Sequence, residues 1–180
     1  QKNHPLWSSN NQEFISKLTE HPLLYEPGKK WHYSVATDVL GHLIERISGK
    51  PLGSYFEEHI FKPLKMKDTS FHISKSKINR FASSYGPKLT RVDRFKSSDY
   101  IRPNRIQSGG GGLVSTASDY LRFCQMILNG GELDGKRLIG QTFITEMMKN
   151  QLPKGVYTYN HFGFGYGLMV QLSTWGNQAK

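Results

Sequence analysis

The residues that most restrict what this chain can become run from Ser34 to Gly49, "SVATDVLGHLIERISG". Val39, Leu40, Leu43, Ile44 and Ile47 recur on one face of a 3.6-residue period, the pattern of an amphipathic helix and of no strand. Ser34 is placed to cap its start, Asp38 lies in the first turn where the helix dipole favours an anion, and Gly49 supplies a left-handed stop. The spacing predicts a helix over 35–48, with Val39, Leu43 and Ile47 buried. Further helices are predicted from Asn11 to Thr19, capped by Asn10 or Asn11, and from Leu52 to Ile60, stopped by Pro63, which lacks the N–H to continue. Thr116 and Asp119 form a capping-box-like start to another helix, which ends at Gly130-Gly131 and buries Leu121, Cys124, Met126 and Leu128. One more runs from Gln141 to Lys149. Residues 71–106 read as irregular and basic, with short strands near Phe81–Tyr85 and Tyr100–Arg102. Gly163 to Leu172, "GFGYGLMVQL", reads as a single strand loosened by glycine. A lone strand is not stable, so its partners come from elsewhere. The expectation is an α+β fold, predominantly helical.

At 180 residues the chain has the length of about one domain. No apolar run is long enough to cross a bilayer, so no membrane span is expected. Cys124 is the only cysteine, which excludes an internal disulfide and a thiolate metal cluster. The cysteine count says little about compartment, and localisation stays open between cytoplasm and periplasm. The net charge of +10 is uneven, with nine Lys or Arg between Lys75 and Arg105 against Asp93 and Asp99. That segment reads first as a solvated basic loop. An anionic polymer is the minor reading, because neither zinc-finger spacing nor an aromatic ribonucleoprotein motif accompanies the charge.

Immediately before the 35–48 helix stand Trp31-His32-Tyr33-Ser34, following a Pro27-Gly28 turn. A tyrosine in such a place ordinarily packs its ring and hydrogen-bonds at the rim. Three blocks give it a different context: "EPGKKWHYSVATDVLGHLIERISGKPLGSYFEEHIFKPLKMKDTSF", "GGGGLVSTASDYLRFCQMILNGG" and "FGFGYGL". In this order they resemble the serine β-lactamase-like superfamily, which includes class C β-lactamases, D,D-peptidases and the family VIII carboxylesterases, and the resemblance covers nearly the whole chain. It implies the helical subdomain and part of the sheet of a β-lactamase/transpeptidase-like fold. It also implies an acyl-enzyme mechanism without metal or organic cofactor. Tyr33 matches the family's tyrosine, which passes the nucleophilic serine's proton to the leaving group. A phenol, with an ordinary pKa of about 10, does this only beside cations or by concerted proton movement.

Val35 stands where the β-lactamases carry an asparagine that binds the substrate's amide. Because Val35 can neither donate nor accept, "YSVATDVLG" is closer to the esterase branch. The resemblance also places Gly110, Gly111 and Gly112 beside the acyl side of the cleft, where backbone amides can approach the ligand. Val35 and these three glycines are therefore candidate substrate-binding residues, and Tyr33 is the candidate catalytic one. The implied substrate is a small-molecule ester, or alternatively a β-lactam or D,D-peptide. A non-catalytic binding module is the reading from a different class. The family's Ser-x-x-Lys precedes its tyrosine by many tens of residues, and nothing in 1–32 spells it. Ser74–Lys77, "SKSK", does, but it follows Tyr33 and opens no apolar helix. His161-Phe162-Gly163 and Trp175-Gly176 imitate the family's terminal strand motif out of place. The expectation is an internal segment of a larger hydrolase, starting at Gln1 rather than Met, whose missing flanks are its own partners and whose nucleophile lies upstream of Gln1.

Overall fold

The structure, a computed structural model, describes residues 4–92, 98–101, 106–158 and 162–172. The chain divides into two compact units: Gln1–His21 with Val35–Arg122, and Pro22–Ser34 with Phe123–Lys180.

In the first unit, α1 (Asn11–Leu18) begins where the Asn10 side chain accepts from the Glu13 N–H at 2.8 Å, and it buries Phe14 completely. Helix α2 spans Ala36–Ser48 and stops at Gly49, whose φ of 67° is the left-handed cap expected. Its start differs from expectation: the N-cap position belongs to Val35, with no capping side chain. Glu45 of α2 ties three elements together. Its carboxylate accepts from the Asn11 side chain of α1 and from the Leu52 N–H at 2.9 Å, an amide that the opening turn of α3 (Leu52–Phe56) leaves without an intrahelical partner. The predicted helix to Ile60 changes form midway. From Glu57 to Phe61 the backbone follows a π-helical path, then stops at Pro63. Leu52, Phe61, Leu64, Met66, Phe71 and Ile73 make the core of this unit, with Phe56 stacked on Phe71 at 6.2 Å.

The strands predicted between 71 and 106 do not form among the described residues. Lys75–Arg80, Pro87–Leu89 and Asp99–Ile101 are short 3-10 turns, and Tyr85 makes only an isolated bridge to Arg91. Gly, Pro and Lys interrupt this stretch too often for a ladder to propagate. Arg102 lies outside the described residues. A second isolated bridge, Ser70 to Val114, brings the segment after the glycines against the core.

Helix α4 spans Ala117–Leu128. The Thr116 hydroxyl accepts from the Asp119 N–H at 3.2 Å, the cap expected. The Asp119 carboxylate, however, does not complete a capping box. It is buried and accepts from the Asp68 N–H at 2.7 Å and the Thr69 hydroxyl at 2.9 Å, fastening α4 to the core 50 residues away.

In the second unit, Gly130 and Gly131 end α4 with positive φ. A side chain at Gly131 would meet the Ile139 carbonyl at 2.1 Å. A hairpin not anticipated from the sequence follows: β1 (Glu132–Leu133) pairs with β2 (Lys136–Arg137) through Asp134-Gly135, both left-handed at φ 51° and 71°. Asp-Gly is the dipeptide that such a type I′ turn favours. Helix α5 (Gln141–Met147) is two residues shorter than predicted. The terminal strand is instead a second hairpin, β3 (Gly163–Phe164) against β4 (Met169–Val170), because the Gly165 N–H turns back to the Leu168 carbonyl at 2.7 Å.

The largest correction concerns burial. Val39 is half-buried, but Leu43 is 49% exposed and Ile47 79% exposed. Leu121, Cys124 and Leu128 of α4 are exposed too, and only Met126 of that set is buried. The helical period is right, whereas the faces it marks are not covered by the described residues.

Candidate active site

Tyr33 belongs to the second unit, and Val35 with Gly110, Gly111 and Gly112 to the first. In the second unit Pro27-Gly28 forms the expected turn, closed by the Lys29 N–H to the Glu26 carbonyl at 3.1 Å, with Gly28 at φ 80°. The chain then runs without regular structure through Trp31-His32-Tyr33. Trp31 anchors it: its ring lies 5.5 Å from Phe164 of β3 and 6.3 Å from Tyr33. The row Tyr33, Trp31, Phe164 thus holds the tyrosine's backbone to the β3–β4 hairpin while the Tyr33 side chain stays 72% exposed. Neighbouring groups have other partners. Lys30 lies over the Tyr25 ring at 4.5 Å, and His32 meets Tyr25 edge-on.

In the first unit Val35 is half-buried at φ −79°, ψ 18°, and its carbonyl accepts from the Asp38 and Val39 N–H groups, opening α2. The glycine run lies against the same turn. An added Cβ on Gly109 would come within 2.1 Å of the Thr37 carbonyl, and one on Gly110 within 2.8 Å of both the Asp38 carboxylate and the Thr37 hydroxyl. Gly110 spends its N–H within the protein, at 3.2 Å from the Ser108 hydroxyl and 3.4 Å from Asp38 Oδ1. Gly111 has open space where a side chain would stand, and Gly112 adopts φ 84°.

Leu43 and Ile47, expected to be buried, are exposed. A cleft of about 310 Å³ in the first unit is lined by Asp68, Thr69, Ser70, Ile73 and Val114 among others. Ser74 and Lys77 also line this cleft. Lys77 is committed, however, with its ammonium 2.9 Å from Asp68 Oδ1, while Arg80 holds Asp68 Oδ2 at 2.8 Å. Hydrogen bonds from Arg80 and then Lys77 lower the Asp68 carboxyl to about 2. Lys77 is thus directed at Asp68 and not at Ser74, whose hydroxyl pairs with Ser76. Part of the basic segment's charge is likewise spent on Asp68. His161 and Trp175-Gly176 lie outside the described residues.

Among the described residues no group of three His, Cys, Asp or Glu could hold a metal ion, and no helix is long and apolar enough to cross a membrane. The model of the protein family described as Beta-lactamase matches residues 1–179. The chain belongs to this family. An uncharacterised protein of Mycobacterium tuberculosis is 33% identical over 175 residues, 93% of this chain and 43% of its own length. Esterase EstB of Burkholderia gladioli is 31% identical over 174 residues, covering 86% of this chain and 42% of its own. Among solved structures, simvastatin synthase (LovD) from Aspergillus terreus superposes with a TM-score of 0.72 at 18% identity, over 93% of this chain and 46% of that one. The fold is therefore the β-lactamase/transpeptidase-like α+β fold, and the chain spans less than half the length of the relatives it matches.

Sequence reasoning passed over two contacts that shape this region: the reach of Asp38 to Ser108 and Gly110, and that of Asp119 to Asp68 and Thr69. Neither has a local signal, because the donors lie about 70 residues from Asp38 and about 50 from Asp119.

Proposed function

We propose that this chain is the tyrosine-bearing part of a serine hydrolase that works through an acyl-enzyme, with carboxylic-ester hydrolysis as its reaction. One observation carries the reading: an exposed tyrosine, Tyr33, fixed by the Trp31–Phe164 contact and followed two residues later by Val35 instead of a polar side chain at the start of α2. An exposed phenol on a backbone anchored by packing has the geometry of a proton relay, which needs a fixed origin and an accessible oxygen. The nucleophile of this reading is a serine outside these 180 residues, since Lys77 is engaged by Asp68. After the serine attacks the ester carbonyl, Tyr33 hands the serine's proton to the departing alkoxide. Water then releases the acid by the reverse route. Residues 110–112 line the acyl side of the substrate. The similarity to an esterase supports the ester. The similarity to putative D-alanyl-D-alanine carboxypeptidases, 30% identical in the Escherichia coli K12 case, keeps peptide and β-lactam substrates as the second reading.

One kinetic experiment on the whole protein tests both readings. Tyr33→Phe should lower turnover of p-nitrophenyl esters on the order of 10²-fold or more, the usual loss for a general base. Unchanged turnover would move the relay to another group. Val35→Asn should raise cephalosporin hydrolysis relative to short-chain ester hydrolysis about fivefold, corresponding to roughly 1 kcal/mol from one recovered hydrogen bond. A stable variant with an unaltered ratio would remove Val35 from the substrate preference.

A further inference from the structure

Asp38 is a buried carboxylate, 6% exposed, in the first turn of α2. Among the described residues no cation pairs with it. A desolvated anion persists only where hydrogen bonds and dipoles replace water. Two replacements are evident: the positive end of α2 beneath it, and two donors from a segment about 70 residues away. The Ser108 hydroxyl and the Gly110 N–H both donate to the same oxygen, Oδ1. The glycines match this arrangement sterically. Gly109 sits so close to the Thr37 carbonyl that any side chain there would push the segment off the helix, and a side chain at Gly110 would crowd the Asp38 carboxylate and the Thr37 hydroxyl. One turn further along the same face of α2, Gly41 lets both Gly109 and Leu52 approach, its own hypothetical Cβ lying 3.1 Å from Gly109 Cα and 3.0 Å from Leu52 Cδ2. Close backbone approach alone would leave the loop free to slide. The carboxylate adds a fixed register.

We propose that Asp38 is a positioning residue. By holding Ser108 and Gly110 on Oδ1 it latches the four-glycine loop, 109–112, to the first turn of α2, and so sets where the backbone of Gly111 and Gly112 meets the acyl part of the substrate. This rests on the reading of 110–112 as substrate-lining. It assigns Asp38 a role that charge–dipole stabilisation of the helix alone does not require, since an anion that serves the dipole can do so from the solvent-exposed side of the turn.

The test uses the whole protein and three variants, Asp38→Ala, Asp38→Asn and Ser108→Ala, with two readouts. The first is amide hydrogen exchange of 108–112, and the second is KM and kcat for p-nitrophenyl butyrate. Asp38→Ala should speed exchange in the loop about tenfold or more and raise KM about tenfold, with kcat changed less than about threefold, as expected for lost substrate positioning rather than lost chemistry. Asp38→Asn keeps an oxygen where Oδ1 stands and should bring both values back to within about threefold of the parent. Ser108→Ala removes one of the two donors while Gly110 still reaches Oδ1, and should show the same signature at smaller size, which keeps the test open if Asp38→Ala fails to fold. Unchanged exchange in a folded Asp38→Ala or Ser108→Ala protein overturns the latch. Faster exchange with unchanged KM overturns the positioning role while leaving the latch. A parent protein with no ester turnover counts against the ester reading, and the exchange measurement still decides the latch.

Discussion

The two ends of α2 are held in opposite ways. At its first turn the side chain that matters is a buried carboxylate with every visible contact polar and specific: Ser108, Gly110 and the helix's own dipole. Further along, Leu40, Leu43 and Ile47 form an apolar stripe that the described residues leave open to solvent, while Gly41 on another side packs tightly on Leu52 and Gly109. A polar contact names its partner, because donors and acceptors must match in place and direction. An apolar stripe names only a demand for cover, which any apolar surface can meet. Periodicity therefore finds such a face reliably and says nothing of what covers it.

This contrast can be pressed by substitution. The largest effect is expected where apolar burial is complete. Leu52→Ala, at a fully buried position beneath Gly41, should destabilise the fold by about 2–5 kcal/mol in denaturant titration. A loss under about 1 kcal/mol would mean that α2 and α3 do not depend on that contact.

Next is the surface ion cluster, whose effect depends on pH. The folded carboxyl of Asp68 lies at about 2, below its ordinary 3.8, so its contribution is fully present above the unfolded value and is lost as pH falls through about 2. The stability gap between the parent and Asp68→Asn should be open at pH 6 and close progressively between pH 4 and about 2, small throughout because the cluster is solvent-exposed. A gap that is independent of pH would show that the Lys77 and Arg80 contacts contribute nothing.

The smallest effect is expected at the open stripe. Ile47→Ser should change the stability of this 180-residue chain by no more than about 0.5 kcal/mol, as for other exposed sites. A loss of several times that in a longer protein would report a cover on the stripe there.

The helices were legible in the sequence because their signals are local. Asn10, Gly49, Pro63 and Thr116 each mark a boundary by chemistry confined to a few residues, and each acts as that chemistry requires. What could not be read depends on distant partners. Ser34 looked like the cap of α2, but Val35 took the position, and the carboxylate three residues on turned towards Ser108 instead. "GFGYGLMVQL" had strand composition throughout, yet Gly165 packs so near the Met147 carbonyl that the chain folds back into β3 and β4. The Asp134-Gly135 turn was readable and was overlooked. Of the candidate site, Tyr33 and Val35 were found by resemblance to a family. The anchoring of Tyr33 by Trp31 on Phe164 needed coordinates.

The central claim is that Tyr33 serves a serine nucleophile that is not Ser74, and rapid-quench intact-mass measurement with peptide mapping tests it most directly. The whole protein, mixed with p-nitrophenyl acetate, should gain one acetyl group within the first turnover, mapped to a serine outside these 180 residues, and Tyr33→Phe should form that adduct on the order of 10²-fold more slowly. No covalent adduct, an adduct on Ser74, or an adduct that forms as fast in Tyr33→Phe as in the parent would contradict the account.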